Sequence, residues 1–156
     1  MPETLLEVRK LSVGFEQRGR LIEAVRGVSF VMGREKLGIV GESGSGKSQT
    51  GRAILGLTEG KVEAEALRFQ GEDLLAMGRR ARRDLRGGGI GMVMQDPKFS
   101  LNPVMRIGKQ LVEALRAHER ISHGDARRRA LAMLEAVQID DPVRVYRAFP
   151  HELWRH

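Results

Sequence analysis

GIVGESGSGKSQTG, residues 38–51, decides how this chain is read. Within it, Gly41-Glu42-Ser43-Gly44-Ser45-Gly46-Lys47-Ser48 fits G-x-x-x-x-G-K-[ST] without a mismatch. A turn that gathers several backbone N–H groups around one anion needs glycines at backbone angles other residues resist. A helix that follows directly points its positive dipole end at the same spot. Lys47 supplies a mobile point charge for phosphate oxygens, and the Ser48 hydroxyl suits Mg²⁺. An apolar segment precedes the loop and a helix pattern follows it, which is the setting this motif requires. A nucleoside triphosphate is the implied ligand. The motif alone does not choose between ATP and GTP.

Working outward toward the N-terminus, residues 5–15 read as strand. Leu6 and Val8 share one face, and Leu11, Val13 and Phe15 the other, a phase slip that predicts a bulge or two short strands. Residues 16–20 read as a turn, and 21–32 as a second strand with Val28, Phe30 and Met32 alternating, so the two form an antiparallel hairpin. KLGIV (36–40) has the composition of a buried parallel strand. A helix follows over 47–57, with Ala53, Ile54 and Leu57 on one side. KVEAEALRFQ (61–70) reads as strand ended by Gly71, 73–85 as an arginine-rich helix, and GIGMVMQ (89–95) as a second buried strand.

The character of the sequence changes after Asp96-Pro97. Ile107, Leu111 and Leu115 recur at helical spacing. Ser122 with Asp125 predicts a capped helix over 124–138 with a stripe of Ala126, Ala130, Leu134 and Val137. Asp141-Pro142 reads as an N-cap followed by proline at the first helical position. The expected organisation is a β-rich, α/β part over 1–96 and a helical part over 97–156.

Composition narrows the function classes. The chain has 156 residues, no cysteine and 41% hydrophobic residues. Disulfides and cysteine-based metal sites are thereby excluded. No apolar run is long enough to span a bilayer, and the first ten residues do not have the pattern of a secretory signal. The net charge of +7 invites a nucleic-acid reading. Its main contributors, GRRARRDLR (78–86) and ARRRA (126–130), carry neither interleaved aromatics nor a base-reading motif. They read more simply as solvated helix faces, and no nucleic-acid partner is expected.

GESGSGKS, with Gln95 further on in MVMQDPKFSLNP and then PHEL, resembles the nucleotide-binding subunits of ABC transporters. It is most similar to the group that drives oligopeptide, dipeptide or nickel import, and the likeness runs from about residue 5 to Leu153. It implies an α/β P-loop NTPase fold of the ABC type, with an antiparallel β part, a RecA-like core and a helical subdomain. It also implies ATP and Mg²⁺ as cofactors. On the matching positions, Phe15 would stack on adenine, and Gly41 through Ser48, with Gln49, would hold the phosphates. Ser48 and Gln95 would face the metal. From the residues alone, Phe15 also reads as a strand-core position beside Leu11 and Val13. Residues 98–150 would be the helical subdomain that meets a membrane permease. His151 and Glu152 would lead into the signature sequence. Implied partners are a second ATPase subunit, permease subunits and, indirectly, a solute-binding protein, at the inner face of the cell membrane.

The sequence departs from that pattern after Leu153, reading Trp154-Arg155-His156 where the family continues with a serine and two glycines. The chain therefore resembles a family member truncated just before its signature motif. AVQIDD (136–141) is not a substitute for the family's catalytic strand: Gln138 interrupts it, no glutamate follows, and Asp141-Pro142 explains it as a cap. No catalytic residue is expected within these 156 residues, and no ATP turnover above background by the chain alone. Apolar strands such as KLGIV would also leave backbone groups unpaired, which predicts marginal stability. A non-hydrolysing nucleotide-binding module, or an inactive fragment, is the alternative reading.

Overall fold

The computed structural model describes residues 4–95 and 100–153. The expected boundary at Asp96-Pro97 and the closing Trp154-Arg155-His156 lie outside the described residues. Two compact units are present, Met1–Ile90 and Gly91–His156.

The first unit is built on a long hairpin of β1 (Leu6–Gln17) and β2 (Arg20–Met32). Arg18 and Gly19 both have positive φ, 53° and 73°, and Gln17 pairs with Arg20. This is the two-residue turn whose twist matches that of the flanking strands. The register breaks between Val8 and Leu11, where Lys10 takes φ 45°. The bulge there is tied to its surroundings at two points. The Lys10 N–H donates to the Ser29 hydroxyl at 2.8 Å, and its ammonium reaches Glu65 at 2.5 Å. The extra residue corrects one expectation. It restores the phase of the strand, so Leu6, Val8, Leu11 and Val13 all enter the same core instead of lying on opposite faces.

β3 (Lys61–Glu63) and β4 (Ala66–Phe69) both pair with β1, and β5 (Glu72–Asp73) pairs with β4. The sheet runs β2-β1-β4-β5, with β3 on β1, and every pairing named is antiparallel. The single strand expected over 61–70 is thus two, and Gln70-Gly71, with φ 49° and 83°, makes a second two-residue turn.

Against one face of the sheet lies α1 (Lys47–Ile54), which places Ala53 in the core. It ends earlier than the periodicity predicts. Gly56, at φ 62°, sends its N–H to the Ala53 carbonyl, and the Leu57 N–H bonds the Arg52 carbonyl. That paired closure takes Leu57 off the helix and into solvent. The helix expected from residue 73 also starts later, as α2 (Arg79–Gly88). The Asp73 carboxylate accepts the Leu75 N–H at 2.8 Å and holds the intervening residues in a turn.

The two apolar segments read as buried parallel strands form no strand, and most of their residues are exposed. Residues 36–40 have no ladder partner among the described residues, and within 89–95 Ile90 alone makes an isolated parallel bridge, to Arg86, and packs at the edge of the first core. Val40 is 96% exposed and Val93 90%. A parallel strand is buried by neighbours on both sides, and no described strand lies beside either segment.

In the second unit, α3 (Ile107–His118), α4 (His123–Ala136) and α5 (Pro142–Arg147) pack around Val112, Ala126 and Ala130. Leu111, Leu115 and Tyr146 close the cluster, while Val137 falls beyond the end of α4 and is exposed. Gly108 lets the Tyr146 ring approach, since a Cβ there would meet ring carbons at 2.5 Å. Both predicted caps form. The Asp141 carboxylate accepts the Arg144 N–H at 2.9 Å, and the Ser122 hydroxyl accepts the Asp125 N–H at 3.1 Å. The reciprocal bond runs from the Ser122 hydroxyl to the Asp125 carboxylate at 2.5 Å. Removing the cap by Ser122→Ala is expected to cost about 1 kcal/mol of stability, measured by urea unfolding.

Candidate functional site

Backbone angles and close contacts shape the loop over 41–48. The Ser45 N–H bonds the Glu42 carbonyl at 3.2 Å and tightens the turn. Gly44 needs its φ of 82°, a left-handed angle that costs other residues, although a Cβ there would meet open space. At Gly41 a Cβ would stand 2.7 Å from the Ser45 hydroxyl, which would have to turn away. Gly46 needs both the angle and the room, with φ at 90° and a would-be Cβ 2.3 Å from the Ala24 carbonyl oxygen of β2. The sequence motif is thus braced by the hairpin, through Ala24 and Val25, while the apolar segment before it stays exposed.

Gly46 also caps α1 without any side-chain cap. The first N–H groups of α1 are therefore left for an incoming acceptor, and they carry the positive end of the helix. Buried Thr50 fixes Gly46 from behind. Its N–H and its hydroxyl both donate to the Gly46 carbonyl, at 2.8 and 3.1 Å.

Lys47 curls over the loop. Its ammonium donates to the Gly41 and Glu42 carbonyls, each at 2.6 Å, and to the Ser45 hydroxyl at 3.2 Å. Its charge is thereby held against the loop from which the N–H groups of α1 emerge. Glu42, Ser43 and Ser48 are exposed on that loop and on the first turn of α1. Gln49 faces elsewhere: its amide oxygen accepts from the Thr58 hydroxyl at 3.0 Å, which in turn accepts the Gly60 N–H. Gly60 lies directly on β1, where a Cβ would meet the Gly14 carbonyl at 2.9 Å and the Phe15 ring at 3.0 Å. Phe15 is half-buried at the edge of the first core, so the short segment 58–60 touches both Gln49 and Phe15.

The structure brings Gly41 through Ser48 into one cradle. Gln95 belongs to the second unit, where it is exposed at the end of 91–95. Among the described residues no group of three or more His, Cys, Asp or Glu side chains could hold a metal ion. The hydroxyl of Ser48 and the amide oxygen of Gln95 are hard oxygen donors, the type that suits Mg²⁺. Sequence reasoning missed Ala24, Thr50 and Thr58. Thr50 had a signal, since a hydroxyl four residues past Gly46 can bond back to its carbonyl. Ala24 had none, being far away in sequence and unremarkable in type.

This geometry is that of a phosphate-binding loop at the head of a helix, with an antiparallel sheet beside it and a helical unit following in sequence. The family model for ABC transporters matches residues 25–153, and the chain belongs to the ABC transporter family. It is 44% identical over 152 residues to the oligopeptide transport ATP-binding protein OppD of Bacillus subtilis, covering 95% of this chain and 42% of that protein. Against the dipeptide transport ATP-binding protein DppD of Haemophilus influenzae it is 43% identical, covering 96% of this chain and 46% of the relative. The chain spans less than half the length of these curated relatives. Among solved structures, the dimeric bacterial ABC transporter cassette MJ0796 superposes with a TM-score of 0.75 at 21% identity, over 95% of this chain and 62% of that one. That likeness shows the fold. A further structure of the same cassette, in a post-hydrolysis state with ADP and Pi, matches at 0.74. No helix among the described residues is long and apolar enough to cross a membrane.

Proposed function

We propose that this chain is the nucleotide-holding part of the ATP-binding subunit of an importer, with peptides as the solute class. The observation that carries the reading is the loop itself: Gly44 and Gly46 at positive φ, the Lys47 ammonium held against the loop, and uncapped N–H groups opening α1. Those features suit a chain of phosphates. Gly44 through Ser48 would hold the phosphates with backbone N–H groups and Lys47 would pair with them. Phe15 would lie against adenine, and Gln49 would stay beside the cradle through its bond to Thr58. Ser48 and Gln95 would ligate Mg²⁺, which when bound neutralises phosphate charge. The proposal assigns binding only, because among the described residues no apolar strand runs into an acidic pair able to orient water.

The peptide assignment rests on the names of OppD and DppD, and a second ATPase subunit on the dimeric state named for MJ0796. Membrane permeases, a solute-binding protein reached through them, and a place at the inner face of the membrane complete the proposal. The test is a titration of the chain with a fluorescent ATP analogue and Mg²⁺, beside Lys47→Ala. Saturable binding, weakened at least about tenfold by the substitution, is expected. A folded chain with no saturable binding, or with binding indifferent to Lys47, overturns the reading.

A further inference from the structure

The positive charge of α2 is not a plain solvated face. Arg79, Arg80, Arg82, Arg83 and Arg86 line one concavity of about 620 Å³ beside Gly56, at the far end of α1 from the phosphate loop. Two of the five are half-buried, and each is tied to a backbone carbonyl. Arg82 donates from Nη2 to the Leu75 carbonyl at 3.0 Å, and Arg86 from Nη1 to the Leu55 carbonyl at 3.2 Å. Each guanidinium has five donors, so these bonds orient the group and leave most of its capacity unspent. The Nε of Arg82 is buried with no partner at all. That is an uncommon and costly condition for a charged group.

Carboxylates do not balance this cluster. Arg9 and Arg68 share Glu7, Arg129 faces Glu119, and Arg144 faces Asp141. In α2 the single ion pair among the described residues is Arg83 with its neighbour Asp84, at 3.8 Å. Gly56 lies against Arg82, where a Cβ would stand 3.3 Å from Nη1. Like charges that line one concavity repel unless a counter-charge joins them. Preorganised guanidinium forks match phosphate oxygens bidentately. The volume is that of a small-ligand site, and two of the cations are oriented by backbone carbonyls, which favours a compact polyanion over a long flexible chain.

We propose that this arginine-lined concavity is an anion site, separate from the phosphate loop, that takes a short chain of phosphates. The source is either a free oligophosphate or the phosphate tail of a nucleotide. Arg82 and Arg86 form its floor, and Arg79, Arg80 and Arg83 close on the ligand from the rim.

The test uses the chain carrying Lys47→Ala, which weakens the first loop and leaves the second site untouched. Calorimetric titration with inorganic tripolyphosphate and with ATP distinguishes the two sources. Saturable binding is expected, weakened about tenfold or more by Arg79→Glu with Arg83→Glu. These two rim side chains are exposed, so folding should survive. The control is Arg116→Glu with Arg120→Glu, an equal charge change on exposed positions of the other unit, expected to change binding less than about twofold. Tighter binding of tripolyphosphate than ATP identifies the free anion, and the reverse identifies the nucleotide. No saturable binding, or an equal loss in the control pair, overturns the proposal.

Discussion

Replacing Gly46 with alanine is expected to destabilise the first unit by about 2–5 kcal/mol and to abolish nucleotide-analogue binding. Two costs combine. A side chain at φ 90° is strained whatever surrounds it, and here it would also be driven to 2.3 Å from the Ala24 carbonyl oxygen. Relief would require β2 to withdraw from α1, which would also disturb the Thr50 contacts to Gly46. Gly44→Ala is the informative companion. Its φ of 82° carries the strain alone, with open space around the new methyl, so about 1–3 kcal/mol is expected. Urea unfolding of the two variants beside the parent chain measures the difference. Equal losses would mean that the hairpin does not brace the loop.

The second large effect is expected in the sheet. Leu11 is fully buried in the core that joins β1 to β4 and α1, and Leu11→Ala should cost about 2–5 kcal/mol. Against a total of about 5–15 kcal/mol for an ordinary domain, that is a large fraction of the stability. Val40→Thr makes the opposite case. The sequence pattern marks Val40 as a buried strand residue, yet it stands 96% exposed. Its replacement should change stability by no more than about 0.5 kcal/mol. Denaturant midpoints of the two variants would separate them clearly. A loss at Val40 comparable with that at Leu11 would place 36–40 in the core after all.

These contrasts indicate how far the residues alone could be read. The hairpin of β1 and β2, the phosphate loop, and the caps at Ser122 and Asp141 were legible because each is set by neighbours within a few positions. The phase slip in β1 was also visible, but its meaning was not. Whether an extra residue turns a strand over or restores its face depends on Lys10 adopting a left-handed angle and finding Ser29 across the hairpin. The segments 36–40 and 89–95 failed for a different reason. Apolar composition reports a preference for burial, while burial itself needs partners on both sides. The end of α1 and the start of α2 were misplaced by local closures, at Gly56 and Asp73, that periodicity does not register. In the site, the motif was plain but its support was not, because Ala24 reaches Gly46 only through the tertiary fold.

The three bonds of the Lys47 ammonium have a thermodynamic corollary. Gly41, Glu42 and Ser45 take up all three of its N–H donors. The lysine is thus an internal counter-ion that satisfies the inward carbonyl dipoles of the loop and keeps them from facing an arriving anion bare. Any phosphate that recruits this cation must exchange bonds already made, so association is a swap of partners and not a net addition. The affinity of the loop is therefore a difference between two sets of contacts, and part of its selectivity lies in which anions can outbid its own backbone.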